Sequence, residues 1–284
     1  MEVTFWGVRG SIASSSPHIA RTGGNTPCVE VTSGNTRLIF DSGTGIRPLG
    51  DALLEAGNPI DVTLFFSHLH WDHVQGFPFF APAFASNTRL QLFGPGANGA
   101  VALHNVLARQ MAPPTFPVPL STMRSQMKFC DAIPSQPIEF GPFIITPFEA
   151  PHPNGCLGYR VEADGQRFVY MTDVEISLQT LTTGISRIIA GADMLVLDAQ
   201  YTPQEYNGIG THARKGWGHS TCTDAAEIAL HMGVKRLFLF HHDPAHTDDF
   251  VEQMAVIARD IFAASEPARE RSCIDLSEVA SGAQ

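Results

Sequence analysis

The chain lacks the cysteine pattern of a disulfide-stabilised protein. Its five cysteines are odd in number and have no CxxC spacing, so they do not predict a disulfide framework. The N-terminal sequence MEVTFWGVRGS has neither a basic segment nor a long apolar one, and no apolar run approaches the ~20 residues that span a bilayer. We therefore expect a cytoplasmic protein with no membrane span. The cysteines, expected to be reduced thiols, are Cys28, Cys130, Cys156, Cys222 and Cys273.

The chain also lacks an excess of positive charge. Lysine and arginine number 18 against 28 aspartate and glutamate residues, which gives a formal net charge of −10 at pH 7. A chain of this charge has no general electrostatic attraction for nucleic acid or for an anionic membrane. We expect a small-molecule substrate rather than a long nucleic acid, and no membrane partner.

Length and apolar content are sufficient for a large core. The 284 residues are 44% hydrophobic, which suits a single domain over residues 1–284. Two strand-rich halves follow one another, and each ends in helical patterns, such as Ala100–Gln110 and Asp248–Ala264. A further helix is predicted at Ile176–Ala190. The pattern alone indicates a mixed α/β fold in layers.

A proline-rich segment interrupts this pattern at residues 111–136. Its five prolines break any long helix, and methionine and phenylalanine are interspersed among them. Long connections of this kind are either packed surface segments or functional ones. The functional alternatives are a lid and a contact with a second copy of the chain in a homodimer.

A cluster of metal-binding side chains follows a predicted strand. The strand is the apolar run 62–66, and the motif HLHWDH begins at His68. Alternate residues of an extended segment point the same way, so His68 and His70 can converge on one ion. Asp72 and His73 lie where the chain turns and can present a second pair to a neighbouring ion. Imidazole nitrogen and carboxylate oxygen suit zinc, and also manganese or iron.

Three more ligand-type residues also stand just past apolar strands. They are His152, Asp173 and His241. Taken singly, each is equally well explained as a cap or turn former, because polar residues commonly follow strands. Taken together with the HLHWDH motif, they supply the additional ligands that a site with two metal ions requires.

The HLHWDH motif fits the HxHxDH signature of the metallo-β-lactamase superfamily, which the chain resembles over most of its length. The resemblance implies a four-layer αββα sandwich. It also implies that one ion is held by His68, His70 and His152, that the other is held by Asp72, His73 and His241, and that Asp173 bridges them. In the family the last ligand is the first polar residue after its strand, which favours His241 over His242. His242 is then a neighbour or a substrate contact.

The resemblance further implies two divalent metal ions, with zinc as the first choice. Two ions about 3.5–4 Å apart clamp and activate a bridging water. A bound divalent cation can lower the pKa of a water molecule to about 7, so that a metal-bound hydroxide is available as the nucleophile. Asp72 is thus counted both as a ligand and as a catalytic residue.

A second motif resembles one branch of the superfamily. The sequence WGHST at residues 217–221 is similar to the His-containing motif of the tRNase Z and PhnP-like phosphodiesterases. Asp198 stands where that branch has an acidic residue after a strand. The resemblance implies that Asp198 orients His219, which donates a proton to the departing alkoxide. The alternative is that Ser220 and Thr221 only cap the following helix and that His219 is incidental.

The activity implied is hydrolysis of a phosphodiester in a small or cyclic nucleotide-like substrate. The chain has no long basic Gly/Pro-rich arm of the kind that would grip tRNA. One alternative is hydrolysis of a thioester or lactone at the same site, and another is a metal-dependent nucleotide sensor without catalysis. Arg9 and Arg21 are candidates for a phosphate contact, although a structural role explains them at least as well.

Overall fold

Two seven-stranded β-sheets form the centre of the protein, for which a computed structural model describes residues 1–57 and 59–279. Strands β1 to β6 are Glu2–Gly7, Cys28–Ser33, Thr36–Phe40, Asp61–Phe65, Arg89–Pro95 and Gln126–Ala132. Strands β7 to β13 are Ile138–Phe140, Phe143–Ala150, Cys156–Ala163, Gln166–Met171, Met194–Asp198, Leu237–Phe240 and Ser265–Pro267. Strand β14 (Cys273–Asp275) pairs with β1, so the sheets have the orders β14-β1-β2-β3-β4-β5-β6 and β13-β12-β11-β10-β9-β8-β7.

Helices cover the outer faces of both sheets. Helices α1 to α8 are Ile46–Glu55, Trp71–Val74, Gly99–Gln110, Thr183–Ile189, Pro203–Asn207, Cys222–His231, Asp248–Ile261 and Leu276–Val279. Leu49 of α1 lies in one buried apolar cluster with Leu64 of β4, on the outside of the first sheet. Met254 of α7 lies in another with Leu195 of β11, on the outside of the second. The layers are therefore αββα, and the predicted fold class is confirmed.

Aromatic side chains fill the interior between the two sheets. Phe40 of β3 and Phe65 of β4 have ring centroids 5.5 Å apart, and Tyr159 of β9 lies 5.3 Å from Phe40. Alternate residues of a strand face opposite ways. Leu38 and Phe40 thus belong to this interior, whereas Ile39 belongs to the cluster under the helices.

Several strands end at the same edge of the sandwich. Strands β3, β4 and β5 are parallel in the first sheet, and β10, β11 and β12 are parallel in the second. Strand β8 runs in the direction of β10, because each is antiparallel to β9. Polar residues that follow the carboxyl ends of such strands are brought together outside the sheet edge, where ligands bind in α/β proteins.

The proline-rich segment 111–136 contains a strand that the sequence pattern did not indicate. Strand β6 pairs in parallel with β5 over seven positions, from Arg89–Gln126 to Pro95–Ala132. It is an edge strand with the sequence QMKFCDA, and only its last residue is fully buried, so it lacks a strong apolar signal. The lid and the homodimer contact stay predictions for this segment.

The helix predicted at Ile176–Ala190 is shorter than expected and spans only Thr183–Ile189. Ahead of it, Ser177 and Thr180 form a hydrogen-bonded turn, in which the Thr180 hydroxyl accepts from the Ser177 N–H at 2.9 Å. Local side-chain bonds of this kind compete with helix formation. Thr182 then caps the true start of the helix by accepting from the Ile185 N–H.

The described part of the chain contains no helix with the length and hydropathy that a membrane span requires. All five cysteines are free thiols, as predicted. Three of them, Cys28, Cys156 and Cys222, are buried.

The stacked aromatic interior predicts a large stability loss for Phe65→Ala. Phe65 is fully buried and stacks on Phe93 at 4.7 Å and on Phe40. Its truncation should lower the free energy of unfolding by about 3–5 kcal/mol. The substitution leaves a cavity, and the two packed sheets cannot move together to fill it. The measurement is the urea-denaturation midpoint. Ile144→Ala, on β8 but 44% exposed, is the control and should change stability by about 0.5 kcal/mol or less. Equal shifts in the two variants would contradict this account of the core.

Candidate metal centre

The HLHWDH motif is extended at its start and helical at its end. Strand β4 ends at Phe65, the chain bends at Ser67, His70 has an extended backbone, and α2 begins at Trp71. His68 and His70 consequently face one side of the cleft between the sheets, with ring centroids 4.4 Å apart. The first turn of α2 directs Asp72 and His73 to a different position. The motif thus supplies two separate pairs, as predicted.

One group of candidate ligands contains His68, His70, His152 and Asp173, whose ligand atoms all lie within 4.8 Å of one another. His152 Nε2 is 3.3 Å from His70 Nδ1. Asp173 Oδ1 is 3.7 Å from His68 Nε2 and 4.0 Å from His152 Nε2. His152 follows β8 and Asp173 follows β10, whereas His68 and His70 follow β4. The group therefore contains residues from both sheets.

A second group contains Asp72, His73, Asp173 and His241, and all four residues are buried. Asp173 Oδ2 is 3.1 Å from His73 Nε2 and 3.2 Å from His241 Nε2. Asp72 Oδ2 is 3.2 Å from His241 Nε2 and 3.4 Å from His73 Nε2. The structure therefore brings all seven predicted ligands together.

The Asp173 carboxylate belongs to both groups, one oxygen to each. Oδ1 faces His68 and His152, whereas Oδ2 faces His73 and His241. Oδ2 also accepts a hydrogen bond from the Thr172 hydroxyl at 2.7 Å. This division of the two oxygens is the arrangement that a carboxylate bridge between two ions requires.

The two groups fit divalent metal ions in chemistry and in spacing. Nitrogen and oxygen ligands at about 2.0–2.1 Å from a tetrahedral zinc ion would lie about 3.3 Å from one another, close to most of the separations found here. His68 Nε2 and His73 Nε2 are buried and have no hydrogen-bond partner within the protein. Buried polar atoms of this kind are rare unless an ion or water satisfies them. The His/Asp cluster is thus of the kind that holds divalent metal ions.

Electrostatics favour a cation at the second group. Burial alone would raise the pKa of Asp72, but His73 and the hydrogen bond from His241 outweigh it and hold that pKa well below its usual range. Burial would lower the pKa of His73, but Asp173, Asp72 and Asp41 together raise it well above its usual range. Ionised carboxylates therefore surround this position and stabilise positive charge there. In the first group, burial and the neighbouring His73 lower the pKa of His68, which stays in the neutral form that a metal ligand needs.

Three site residues have left-handed backbone conformations. Asp41, Asp173 and His241 have φ values of 62°, 50° and 62°, and each lies directly after a strand or one residue beyond it. Such angles are uncommon outside glycine, although Asp and His tolerate them better than most residues. The sharp turn redirects the chain at the sheet edge and aims each side chain into the cleft. Strain of this kind is characteristic of functional sites.

Asp41 is a site residue that the sequence reasoning missed. It follows β3, is fully buried, and its Oδ2 accepts from His73 Nδ1 at 2.9 Å and from the Tyr170 hydroxyl at 2.9 Å. It also accepts from the backbone N–H and hydroxyl of Ser67, whose hydroxyl lies 3.1 Å from His68 Nδ1. Asp41 thus orients one ligand of each group. The signal that found Asp173, a carboxylate after an apolar strand, would also have found Asp41.

His219 and Asp198 form the predicted pair beside the ligand cluster. His219 Nδ1 is 2.7 Å from Asp198 Oδ2, and Asp198 Oδ1 accepts from the backbone N–H groups of Gln200 and Ser220. Burial would lower the pKa of His219, but the Asp198 carboxylate outweighs it and raises that pKa to about 9. The Asp198 carboxylate therefore favours the protonated form of the imidazole.

One part of the capping alternative for this segment is found. Thr221 is the N-cap of α6 and accepts from the Asp224 N–H, whereas the Ser220 hydroxyl donates to the Val174 carbonyl at 2.6 Å. Capping and the His219–Asp198 pair thus coexist. His219 also stacks on His241 at 4.9 Å, and Asp198 Oδ2 is 3.6 Å from His241 Nδ1. A ligand role for His219 in a third group is therefore the competing interpretation of its position.

Three residues that the sequence analysis considered as substrate or phosphate contacts make other interactions in the structure. His242 is buried, donates from Nε2 to the Ala268 carbonyl at 3.0 Å and lies outside both ligand groups, so this geometry gives no support to a substrate contact. Arg9 is fully buried, and its guanidinium donates to the carbonyls of Gly23, Asp243 and His246. It joins backbone segments and is not available to a phosphate.

Arg21 is exposed, and its guanidinium pairs with Asp248 and Asp249 at the surface. Neither carboxylate belongs to the ligand groups. The phosphate contact considered for Arg21 has no support in this geometry.

Comparison with known proteins places the chain in a family. A model of the family described as the beta-lactamase superfamily domain matches residues 36–242. Ribonuclease BN of Cronobacter sakazakii is 25% identical over 317 aligned residues, which cover 95% of this chain and 98% of the relative.

Two solved structures have the same fold. The metallo-β-lactamase fold protein YhfI from Bacillus subtilis superimposes with a TM-score of 0.72 at 19% identity, over 96% of this chain and 98% of that one. A diphosphatase from the PhnP family superimposes with a TM-score of 0.70 at 18% identity, over 96% and 97%. At these identities the likeness concerns the fold alone. Because the family model spans most of the chain and includes every candidate ligand from His68 to His241, the chain belongs to the beta-lactamase superfamily and has the metallo-β-lactamase fold.

Proposed function

We propose that the protein is a metal-dependent hydrolase of phosphodiesters with a dinuclear site. The observation that carries the proposal is the Asp173 carboxylate shared between two ligand groups, with the His219–Asp198 pair beside them. Two divalent ions held there would supply Lewis acidity and an activated water, and zinc is the first choice among zinc, manganese and iron.

The chain's own residues then have distinct roles. His68, His70 and His152 would hold one ion, and Asp72, His73 and His241 would hold the other. Asp173 would bind both, because each of its oxygens faces one group.

His219 is the proposed proton donor. Its Nδ1 is committed to Asp198, so Nε2 is the atom that can deliver a proton to the leaving oxygen. His219 and His152 line a cleft of about 710 Å³ that has room for a leaving group beside the ligand cluster. A leaving alkoxide needs such a donor, whereas a thiolate leaves without one. The pair therefore favours a phosphodiester over a thioester, and the full ligand set favours an enzyme over a sensor.

A small or cyclic nucleotide-like phosphodiester is the substrate we propose first. The net charge of −10 opposes binding of a long polyanion. RNA is the second candidate, because the relative Ribonuclease BN is named for action on it.

A substrate panel tests this function. The metal-loaded protein should hydrolyse bis-p-nitrophenyl phosphate and a cyclic nucleotide faster than a p-nitrophenyl thioester or a lactone at equal concentration. A labelled RNA oligonucleotide in the same panel separates the two substrate classes, because efficient cleavage of RNA with none of the cyclic nucleotide would replace the first candidate by the second. Hydrolysis of the thioester alone would refute phosphodiester chemistry.

Asp173→Ala should abolish most activity and weaken binding of both ions. None of the other residues in the two ligand groups belongs to both, so no side chain would link the two ions. We expect kcat/KM to fall on the order of 10³-fold, comparable to the loss of a main electrostatic stabiliser. Asp61→Ala removes an exposed carboxylate that pairs only loosely with Arg89 at 3.8 Å and is the control. Wild-type turnover in Asp173→Ala would mean that the bridge is assigned to the wrong residue.

His219→Ala should slow the reaction while leaving the metal content unchanged. General acid catalysis contributes ~10²–10⁴-fold, so the loss should be large for an alkyl or ribose leaving group and small for p-nitrophenolate. Asp198→Asn should change rates in the same direction, because it releases the imidazole. His231→Ala, at the exposed end of α6, is the control. A mutant-to-wild-type ratio that stays constant across leaving groups, or a loss of metal, would rule out the acid role.

A further inference from the structure

Glu175 lies two residues after Asp173, and its carboxylate accepts from three donors, one in α5 and two in the loop that follows it. Its Oε1 accepts from the Tyr206 hydroxyl at 2.6 Å and from the Gly216 N–H at 2.8 Å. Its Oε2 accepts from the Gly218 N–H at 2.9 Å. The metal-ligand and general-acid roles described above do not include Glu175.

The loop in question, residues 208–218, connects α5 to the segment that carries His219. It contains no helix or strand and is largely exposed. Gly208, Gly210, Gly216 and Gly218 all have positive φ values, between 75° and 91°, so the loop has little conformational preference of its own. Its position must therefore come from contacts made with the rest of the protein.

Gly218 links this loop directly to a candidate ligand. Its carbonyl lies 3.0 Å from His152 Nδ1, which donates to it. A Cβ atom at Gly218, where φ is 91°, would lie 2.5 Å from His152 Nδ1 and 2.5 Å from Pro153. Only glycine permits this approach. A carbonyl acceptor on Nδ1 fixes the tautomer that leaves Nε2 free to bind a metal ion.

Gly218 also directly precedes the proposed proton donor. His219 is the next residue after Gly218, and its Nδ1 bonds Asp198. Any shift of Gly218 therefore moves the imidazole of His219 with respect to Asp198 while it also removes the acceptor of His152. Both imidazole rings lie close together, with centroids 5.5 Å apart.

Arg214 provides further contacts between the loop and the rest of the protein. Arg214 pairs with Glu205 at 3.1 Å, and its guanidinium lies 4.9 Å from the ring centroid of Tyr201. This contact supports the middle of the loop but does not touch Gly218. Among the hydrogen bonds of the described residues, the Glu175 carboxylate is the acceptor for the Gly218 N–H.

We propose that Glu175 is a positioning residue that places His152 and His219 together, through Gly218. The carboxylate accepts from the N–H of Gly218, the carbonyl of Gly218 accepts from His152, and the chain continues into His219. The inference rests on the proposed function for the role of His219. Its metal-binding part concerns only the ligand His152 and stands apart from the reaction.

The test compares Glu175→Ala with Tyr206→Phe. The second variant removes one of the three bonds to Glu175 and leaves both glycine contacts in place. Zinc affinity is measured by competition with a chromophoric chelator, and rates are measured across phosphodiesters of rising leaving-group pKa. Circular dichroism and the urea midpoint establish that each variant is folded.

Glu175→Ala should bind one zinc equivalent about 10–100-fold more weakly, the usual effect of losing a residue that orients a ligand. Its rate relative to the unmodified protein should also fall further as the leaving-group pKa rises, because His219 is misplaced. Tyr206→Phe should stay within about twofold in both measurements. Glu175→Gln keeps one oxygen that can accept from Gly218 and should lie between the two.

Equal zinc affinity in Glu175→Ala and Tyr206→Phe would overturn the inference. If Glu175→Ala fails to fold, Glu175→Gln, which retains the shape of the side chain, takes its place. Zinc affinity in Glu175→Gln equal to that in Tyr206→Phe would then overturn the inference. If the unmodified protein cleaves no phosphodiester, the proposed function fails, whereas zinc affinity still tests the link from Glu175 to His152.

Discussion

The position of one carboxylate between two groups of imidazoles is the constraint on which this structure depends. Asp173 presents Oδ1 to His68 and His152 and Oδ2 to His73 and His241. The HLHWDH motif comes from the first sheet, whereas the other ligands come from the second. The site therefore exists only when the two sheets are packed face to face. The aromatic interior around Phe40 and Phe65 is what sets their distance, so core packing and site geometry are one problem.

The site is assembled at some cost to the stability of the fold. Buried carboxylates, buried imidazole nitrogens without partners and left-handed backbone angles are each unfavourable on their own. Asp41 offsets part of this cost by orienting His73 and accepting from Ser67 and Tyr170. Bound cations would offset more, because they would neutralise Asp72 and Asp173 and satisfy the imidazoles. We therefore expect folding and metal binding to be coupled.

The sequence was sufficient for residues whose signal is local. The HLHWDH motif and the positions of Asp173 and His241 after apolar strands could be found because parallel strands end at one edge. The same criterion applied to Asp41 would have succeeded. Glu175 could not be found in this way, since two of its three donors are backbone N–H groups, at Gly216 and Gly218, and the third is the hydroxyl of Tyr206, all distant along the chain. Strand β6 was missed because an edge strand is only partly buried. The length of α4 was overestimated because a local side-chain turn before it is not visible in apolar periodicity.

The most direct measurement of the central claim is metal reconstitution followed by activity. The metal-free protein is titrated with zinc, and bound metal and phosphodiesterase rate are determined on the same samples. The account predicts that binding saturates at two equivalents per chain and that full activity appears only as the second is bound, because Asp173 serves both groups. Full activity in a folded preparation that holds one equivalent would contradict it.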